Sequence, residues 1–222
     1  MIQTKNLIAN IIEERLFNNL CCQPPYDVDN YLEQRKLPLN FEHYQFTGKF
    51  RNTEFNLAIV IPLRDQHKRI FGVWLRETTD KFFRIFLFKS KDANLNEYQK
   101  YWICDDFDEN KPTIIFESIF DALSYRKLTN DDRNIASSLG IKPTNNLISI
   151  CKGGIIYCYD NDEAGLNGML SKRNKDGIIL INSAHKVKDV NELLNTECKW
   201  EFVEYFGLEA TIQLRKMIDM GF

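Results

Sequence analysis

The chain has 222 residues, of which 44% are apolar and 27% charged, and its formal net charge is −2. That is the composition of a globular protein with enough apolar residues for one large core or two smaller ones. It excludes a membrane-spanning helix, because the longest strongly apolar run, Leu57 to Leu63, has seven residues and contains Pro62.

The N-terminus has no basic region followed by an apolar core and a small-residue cleavage site, so the expectation is a cytoplasmic protein with reduced thiols. The six cysteines, Cys21, Cys22, Cys104, Cys151, Cys158 and Cys198, form no C-x-x-C pair, and with three histidines they predict no zinc ribbon or finger.

Lys5 to Leu20 carries apolar residues at helical spacing. Pro24-Pro25 breaks the chain, Asp29 to Arg35 reads as a short helix, and Phe41 to Arg51 is aromatic-rich strand or loop. Leu57 to Leu63 and Ile70 to Arg76 read as a hairpin around a polar turn, with Phe82 to Phe88 a third strand. Asn94 to Lys100 is helix or turn. Arg51 to Asp92 holds nine Lys or Arg against five Asp or Glu, whereas acids dominate from Tyr101 to Asp132. A basic first half and an acidic second half fit a phosphate track and a cation site.

The polar, proline-bearing segment Asp105 to Pro112 marks a boundary. Beyond it, short apolar runs alternate with helical stretches: Thr113 to Phe116, then Ile119 to Lys127; Asn134 to Leu139, then Asn145 to Cys151; Gly154 to Tyr159, then Ala164 to Lys172; Gly177 to Ile181, then Val190 to Leu194. This alternation predicts a parallel sheet with crossover helices. Lys199 to Phe222 reads as an amphipathic helix carrying Trp200, Phe202, Val203 and Phe206 near one face.

Two of these strand-to-helix junctions end in acids. Glu117 closes the run TIIF, with Asp121 four residues on, and Asp160 and Asp162 close the run IIYCY. Ligands bind at the carboxyl ends of strands in α/β sheets, and carboxylates crowded there call for a cation. Each fragment taken singly has a plainer reading, with Asp162 capping the next helix and Asp121 complementing a first helical turn.

The ordered pieces E-x-x-x-D at Glu117–Asp121 and D-x-D-x-A-G at Asp160–Gly165 resemble the Toprim domain shared by topoisomerases, bacterial-type DNA primases and some nucleases. Lys188-Asp189-Val190-Asn191-Glu192 resembles the last acidic element of the primase version. Upstream, Tyr31 to Leu37 resembles a primase Y-L-x-x-R-G-L helix, Ile59 to Asp65 with Ile70 to Arg76 a hairpin ending in Arg, and Leu87 to Ser90 an F-x-K element. Ala136 to Gly140 is similar to the second Toprim strand. The likeness runs from about Tyr31 to Leu194 and includes no zinc module and no helicase.

The resemblance implies an α/β fold, α+β overall: a Toprim-like parallel sheet with flanking helices, preceded by a mixed α+β primase-like subdomain. Residues 1–110 would form that basic subdomain, 111–198 the catalytic one and 199–222 a helical tail. It implies Mg²⁺ or Mn²⁺ held by Asp160, Asp162 and Asp189, with Asp121 assisting through water, and Glu117 as a further ligand or as the catalytic base. Arg64, Arg76 and Lys89 would line a groove for nucleotide and template phosphates. The implied activity is synthesis of short RNA primers from NTPs on single-stranded DNA, with a separate helicase or zinc-module subunit as partner and a phage or mobile element as source. A Toprim nuclease and a non-catalytic DNA-binding module are the rival readings; a topoisomerase would need a tyrosine-bearing domain. Two departures count: Ser118 stands where the family has Gly, which puts a tight turn in question, and Asn191 stands where it has Asp, which leaves an oxygen ligand without charge.

Overall fold

A computed structural model of the chain describes residues 25–50, 52–79, 82–87, 100–172, 177–183 and 186–221. It divides into two compact units, one comprising Met1–Gln34 and Pro38–Lys100, the other Arg35–Leu37 and Tyr101–Phe222. The division falls at Lys100, ten residues before the boundary drawn from the sequence, because Trp102–Ile103 already pairs with a strand of the second unit. The helix expected over Lys5 to Leu20 and nearly all of Asn94 to Lys100 lie outside the described residues.

The first unit carries helix α1 (Tyr26–Gln34) and an antiparallel sheet of β1 (Tyr44–Phe50), β2 (Thr53–Arg64), β3 (Ile70–Glu77) and β4 (Phe83–Leu87), in that order. In β2 every residue from Ala58 to Leu63 is buried, so both faces of the strand are covered. One cover is α1, which packs on β1 and β2 and buries Val28 and Leu32. Pro62 is tolerated because β1 starts at Tyr44, opposite Val60, leaving that edge of β2 unpaired beyond it.

The second unit is a six-stranded sheet. Its strands are β5 (Trp102–Ile103), β6 (Thr113–Phe116), β7 (Asn134–Ser137), β8 (Ile155–Cys158), β9 (Gly177–Ser183) and β10 (Trp200–Phe206), in spatial order β10-β9-β8-β6-β7-β5. The four central strands are parallel, as their apolar runs and intervening helices predicted, and β5 and β10 add antiparallel edges. β6 and β7 are buried at every position, as strands covered by helices on both faces must be. The crossovers are α2 (Ile119–Thr129), α3 (Asn145–Ile150) and α4 (Glu163–Leu170), followed by α5 (Val190–Leu193) and α6 (Gly207–Asp219).

The winding fixes where a ligand belongs. From β6 the chain crosses through α2 to β7 on one side, and from adjacent β8 it crosses through α4 to β9 on the other. The sheet therefore reverses its winding between β6 and β8, and their carboxyl ends border the crevice that such a reversal opens.

The tail departs from expectation. Residues 200–206 are not helical but form β10, paired along its whole length with β9; only Gly207–Asp219 is helix. The aromatic and β-branched side chains of WEFVEYF favour a pleated surface over a helical one. Cys104, Cys151, Cys158 and Cys198 are free thiols, the first three buried. Among the described residues no helix is long and apolar enough to cross a membrane.

Candidate active site

Glu117 directly follows β6, and its Oε1 accepts a hydrogen bond from the backbone N–H of Asp160, two residues past the end of β8, at 3.2 Å. The two strand-end acids thus meet at the winding reversal. Gly165, in the first turn of α4, makes the approach possible. A Cβ there would lie 2.2 Å from the Asp160 carbonyl oxygen and 2.7 Å from Glu117 Oε1, closer than any side chain could be tolerated.

Asp162 caps α4 by accepting from the Gly165 N–H at 2.9 Å. The plain capping reading is therefore correct, and it does not exclude the other, because Asp162 Oδ2 lies 3.2 Å from Lys188 Nζ. The same ammonium lies 3.8 Å from Asp160 Oδ2. Asp189 caps α5 by accepting from the Glu192 N–H at 2.8 Å, while the Glu192 carboxylate accepts from the Lys188 N–H at 2.8 Å. This reciprocal cap holds the loop that delivers Lys188 and Asp189.

Ser118 caps α2 at φ −121°, an extended backbone that any residue adopts, so glycine is not needed there. Its hydroxyl accepts from the Asp121 N–H at 3.2 Å and donates to Asp121 Oδ2. Asp121 Oδ1 accepts from the Asn191 N–H at 3.0 Å. With both oxygens engaged and 6% of its surface exposed, Asp121 contributes charge from behind the rim more readily than a direct ligand bond. Asn191 likewise departs from the ligand role drawn from its position. It is buried, its Nδ2 donates to Ser124 Oγ at 3.0 Å, and its Oδ1 accepts from Arg35, whose guanidinium also lies over the Phe120 ring. A neutral amide can accept from one neighbour and donate to the other, which a carboxylate cannot.

The rim has more negative charge than the fold compensates. Burial, reinforced by the Asp121, Glu117 and Asp189 charges, pushes Asp160 up to about 8, against the pull of Lys188. Burial, with the Asp162 and Asp121 charges, pushes Glu117 up to about 7, against the Asp160 N–H bond and Lys188. Asp121 is also raised, by burial and by Asp189. Asp162 goes the other way: its partial burial is outweighed by the Gly165 N–H and by Lys188.

The donor set is entirely carboxylate oxygen, which suits Mg²⁺ or Mn²⁺ and not a soft metal. Among the described residues nothing donates a hydrogen bond to the Asp160 carboxylate, and the cation paired with it is Lys188 at 3.8 Å. Among those residues, too, no three acids are drawn into a closed coordination shell.

The predicted basic groove is less consolidated. Arg64 ends β2, where its guanidinium donates twice to Glu42, each bond 2.7 Å, and once to the Lys68 carbonyl at 2.7 Å. Arg76 is half-buried on β3, between Ile59 of β2 and Phe83 of β4. Lys89 lies outside the described residues. Sequence reasoning missed Lys188 as a site residue; its signal was a cation directly preceding Asp189.

Residues 114–194 match a family profile described as Toprim-like. No curated protein matches the chain in sequence. Among solved structures, the chain is similar to a DnaG primase catalytic domain bound to single-stranded DNA, with TM-score 0.61 and 13% identity, covering 98% of this chain and 80% of that one. It is similar to the Aquifex aeolicus primase zinc-binding and RNA polymerase domains, with TM-score 0.58 and 15% identity, covering 98% of this chain and 62% of that one. It is also similar to the E. coli primase catalytic core, with TM-score 0.54 and 16% identity, covering 88% and 77% respectively. The fold is that of primase catalytic cores, and it contains a Toprim-like domain.

Proposed function

We propose that this chain, with a Toprim-like domain inside a primase-core fold, is a primase-like nucleotidyltransferase that makes short RNA primers on single-stranded DNA. The observation that carries the reading is the meeting of Glu117 and Asp160 at the reversal between β6 and β8, with more carboxylate around them than Lys188 neutralises. Asp160, Asp162 and Asp189 would hold Mg²⁺ or Mn²⁺, and Asp121 would steady them from behind. Such an ion supplies Lewis-acid stabilisation of phosphate charge and lowers the barrier to forming an attacking oxyanion.

Glu117 is suited to take the proton of the 3′-hydroxyl. Its environment raises it to about 7, where a base can both accept and release a proton near neutral pH. The Asp160 N–H and the absent Cβ of Gly165 fix where its carboxylate points. Positioning and charge complementarity are the main sources of rate in phosphoryl transfer, and a rigid strand-end acid supplies both. Arg64, Arg76 and Lys89 would engage nucleotide and template phosphates. A partner would supply template recognition through a zinc module, or helicase activity, and the protein would work in the cytoplasm.

The test is incubation of the protein with single-stranded DNA, labelled NTPs and Mg²⁺ or Mn²⁺. Short labelled RNA is the expected product. Shortened DNA would identify a Toprim nuclease, and neither product, with DNA binding retained, would identify a non-catalytic module.

A further inference from the structure

We propose that Lys188 is a resident counter-cation of the acid rim, filling the space between Asp160 and Asp162 in the ion-free protein, and that a divalent ion must displace it to bind. The inference rests on the metal-binding reading above and goes beyond it by assigning a competitor that belongs to the chain itself.

Its ammonium lies 3.2 Å from Asp162 Oδ2 and 3.8 Å from Asp160 Oδ2, and among the described residues it is the ion-pair partner of both. The position is built. The Lys188 carbonyl accepts from the Asn161 N–H, between the two acids, at 2.6 Å, and its own N–H donates to Glu192 at 2.8 Å. The backbone is thus pinned on both sides, while 59% of the side chain's surface is exposed, so the tip can leave for solvent with little packing lost. A lysine ammonium has donors and no acceptor, so it cannot become a ligand of an incoming ion. It and a divalent cation repel when they share one pair of carboxylates, and one must give way. The lysine keeps the acids paired without an ion and weakens ion binding in return.

The experiment is a Mn²⁺ titration of the full chain at pH 8.5, following the electron paramagnetic resonance of free aqueous Mn²⁺, for wild type, Lys188→Met and Lys188→Arg. Two ion pairs to an exposed ammonium convert to roughly a 3–10-fold effect on affinity. Lys188→Met should therefore bind Mn²⁺ about 3–10-fold more tightly, and Lys188→Arg should resemble wild type. Without divalent ion Lys188→Met should melt at a lower temperature, and saturating Mn²⁺ should erase that difference. Circular dichroism establishes that each variant is folded. Equal or weaker Mn²⁺ binding by folded Lys188→Met overturns the displacement while leaving the metal site standing. No Mn²⁺ binding by any of the three overturns the metal site and this inference with it.

Discussion

Arg64, at the end of β2, and Asp160, past the end of β8, are both strand-end charges, and the protein treats them in opposite ways. Arg64 is closed on itself by the Glu42 carboxylate and the Lys68 carbonyl, so little of its charge is left to offer. Asp160 has an ammonium 3.8 Å away and other acids around it, and its proton is held up to about pH 8. A charge satisfied by its own fold serves structure, whereas one left over-crowded is held ready for something absent. The rim acids keep charge that the fold does not neutralise, and Arg64 keeps little.

The largest test removes the rim acids one at a time. Asp160→Asn and Asp162→Asn should each lower primer synthesis by at least ~100-fold, because each loses the carboxylate's charge and one of its two oxygens. Their stabilities should separate. Asp160→Asn should leave urea-unfolding stability unchanged or raise it, since it relieves repulsion, whereas Asp162→Ala should cost about 1 kcal/mol for the lost α4 cap. Equal destabilisation by both would erase the distinction.

Next in size is Gly165→Ala. The new methyl group would meet the Asp160 carbonyl and Glu117 Oε1, so overpacking should cost about 1–3 kcal/mol by urea denaturation, should weaken Mn²⁺ binding by shifting Asp160, and should slow primer synthesis by shifting Glu117.

The third test is pH. Unfolded Asp and Glu titrate near pH 4, so between about pH 4 and 8 the folded chain holds protons on Glu117 and Asp160 that the unfolded chain has released. These groups favour folding most below about pH 4, and their contribution is lost as pH rises through 7 to 8. Thermal unfolding in chelator should show lower stability at pH 9 than at pH 5. Asp160→Asn should flatten that slope, and Mg²⁺ should offset it at pH 9. Mn²⁺ binding near pH 7 should release protons, measurable as buffer-dependent heats in calorimetry.

The smallest effect belongs to the arginine. Arg64→Ala should change the salt slope of single-stranded DNA binding by less than the ~0.7 of one full phosphate contact, because Glu42 already neutralises it. Glu42→Ala should free that charge and steepen the slope. A full-sized change for Arg64→Ala would show that it exchanges Glu42 for phosphate at no cost.

Much of this was legible in the sequence because it is local. Apolar runs of four residues ending in an acid gave the parallel strands and the positions of Glu117 and Asp160. Asp162 was legible as a helix cap, and it caps α4 through the Gly165 N–H while pairing with Lys188. What was not legible depends on distant residues. Asn191 reads as a weakened ligand until Arg35, 156 residues away, is seen donating to it. Lys188 reads only as part of the last acidic element until the fold brings it to Asp162. Residues 200–206 read as helix because Trp200, Phe202, Val203 and Phe206 fit a helical face, and the open edge of β9 lets their β-favouring side chains form a strand instead.

That open edge bears on the order in which the protein is made. β9 pairs with β8 through Ile156–Gly177 and Tyr157–Ile178, but with β10 through seven residue pairs, Trp200–Ser183 to Phe206–Gly177. During synthesis the stretch that leads into the Lys188–Asp189 loop therefore has a short anchor on one side until residue 206 has left the ribosome. Glu117, Asp160, Lys188 and Asp189 all precede Trp200, and the bonds from the Asn161 N–H to the Lys188 carbonyl and from the Asn191 N–H to Asp121 lie within that part of the chain. The site's acids and their lysine are thus all synthesised before β10, which adds the long pairing to β9 last.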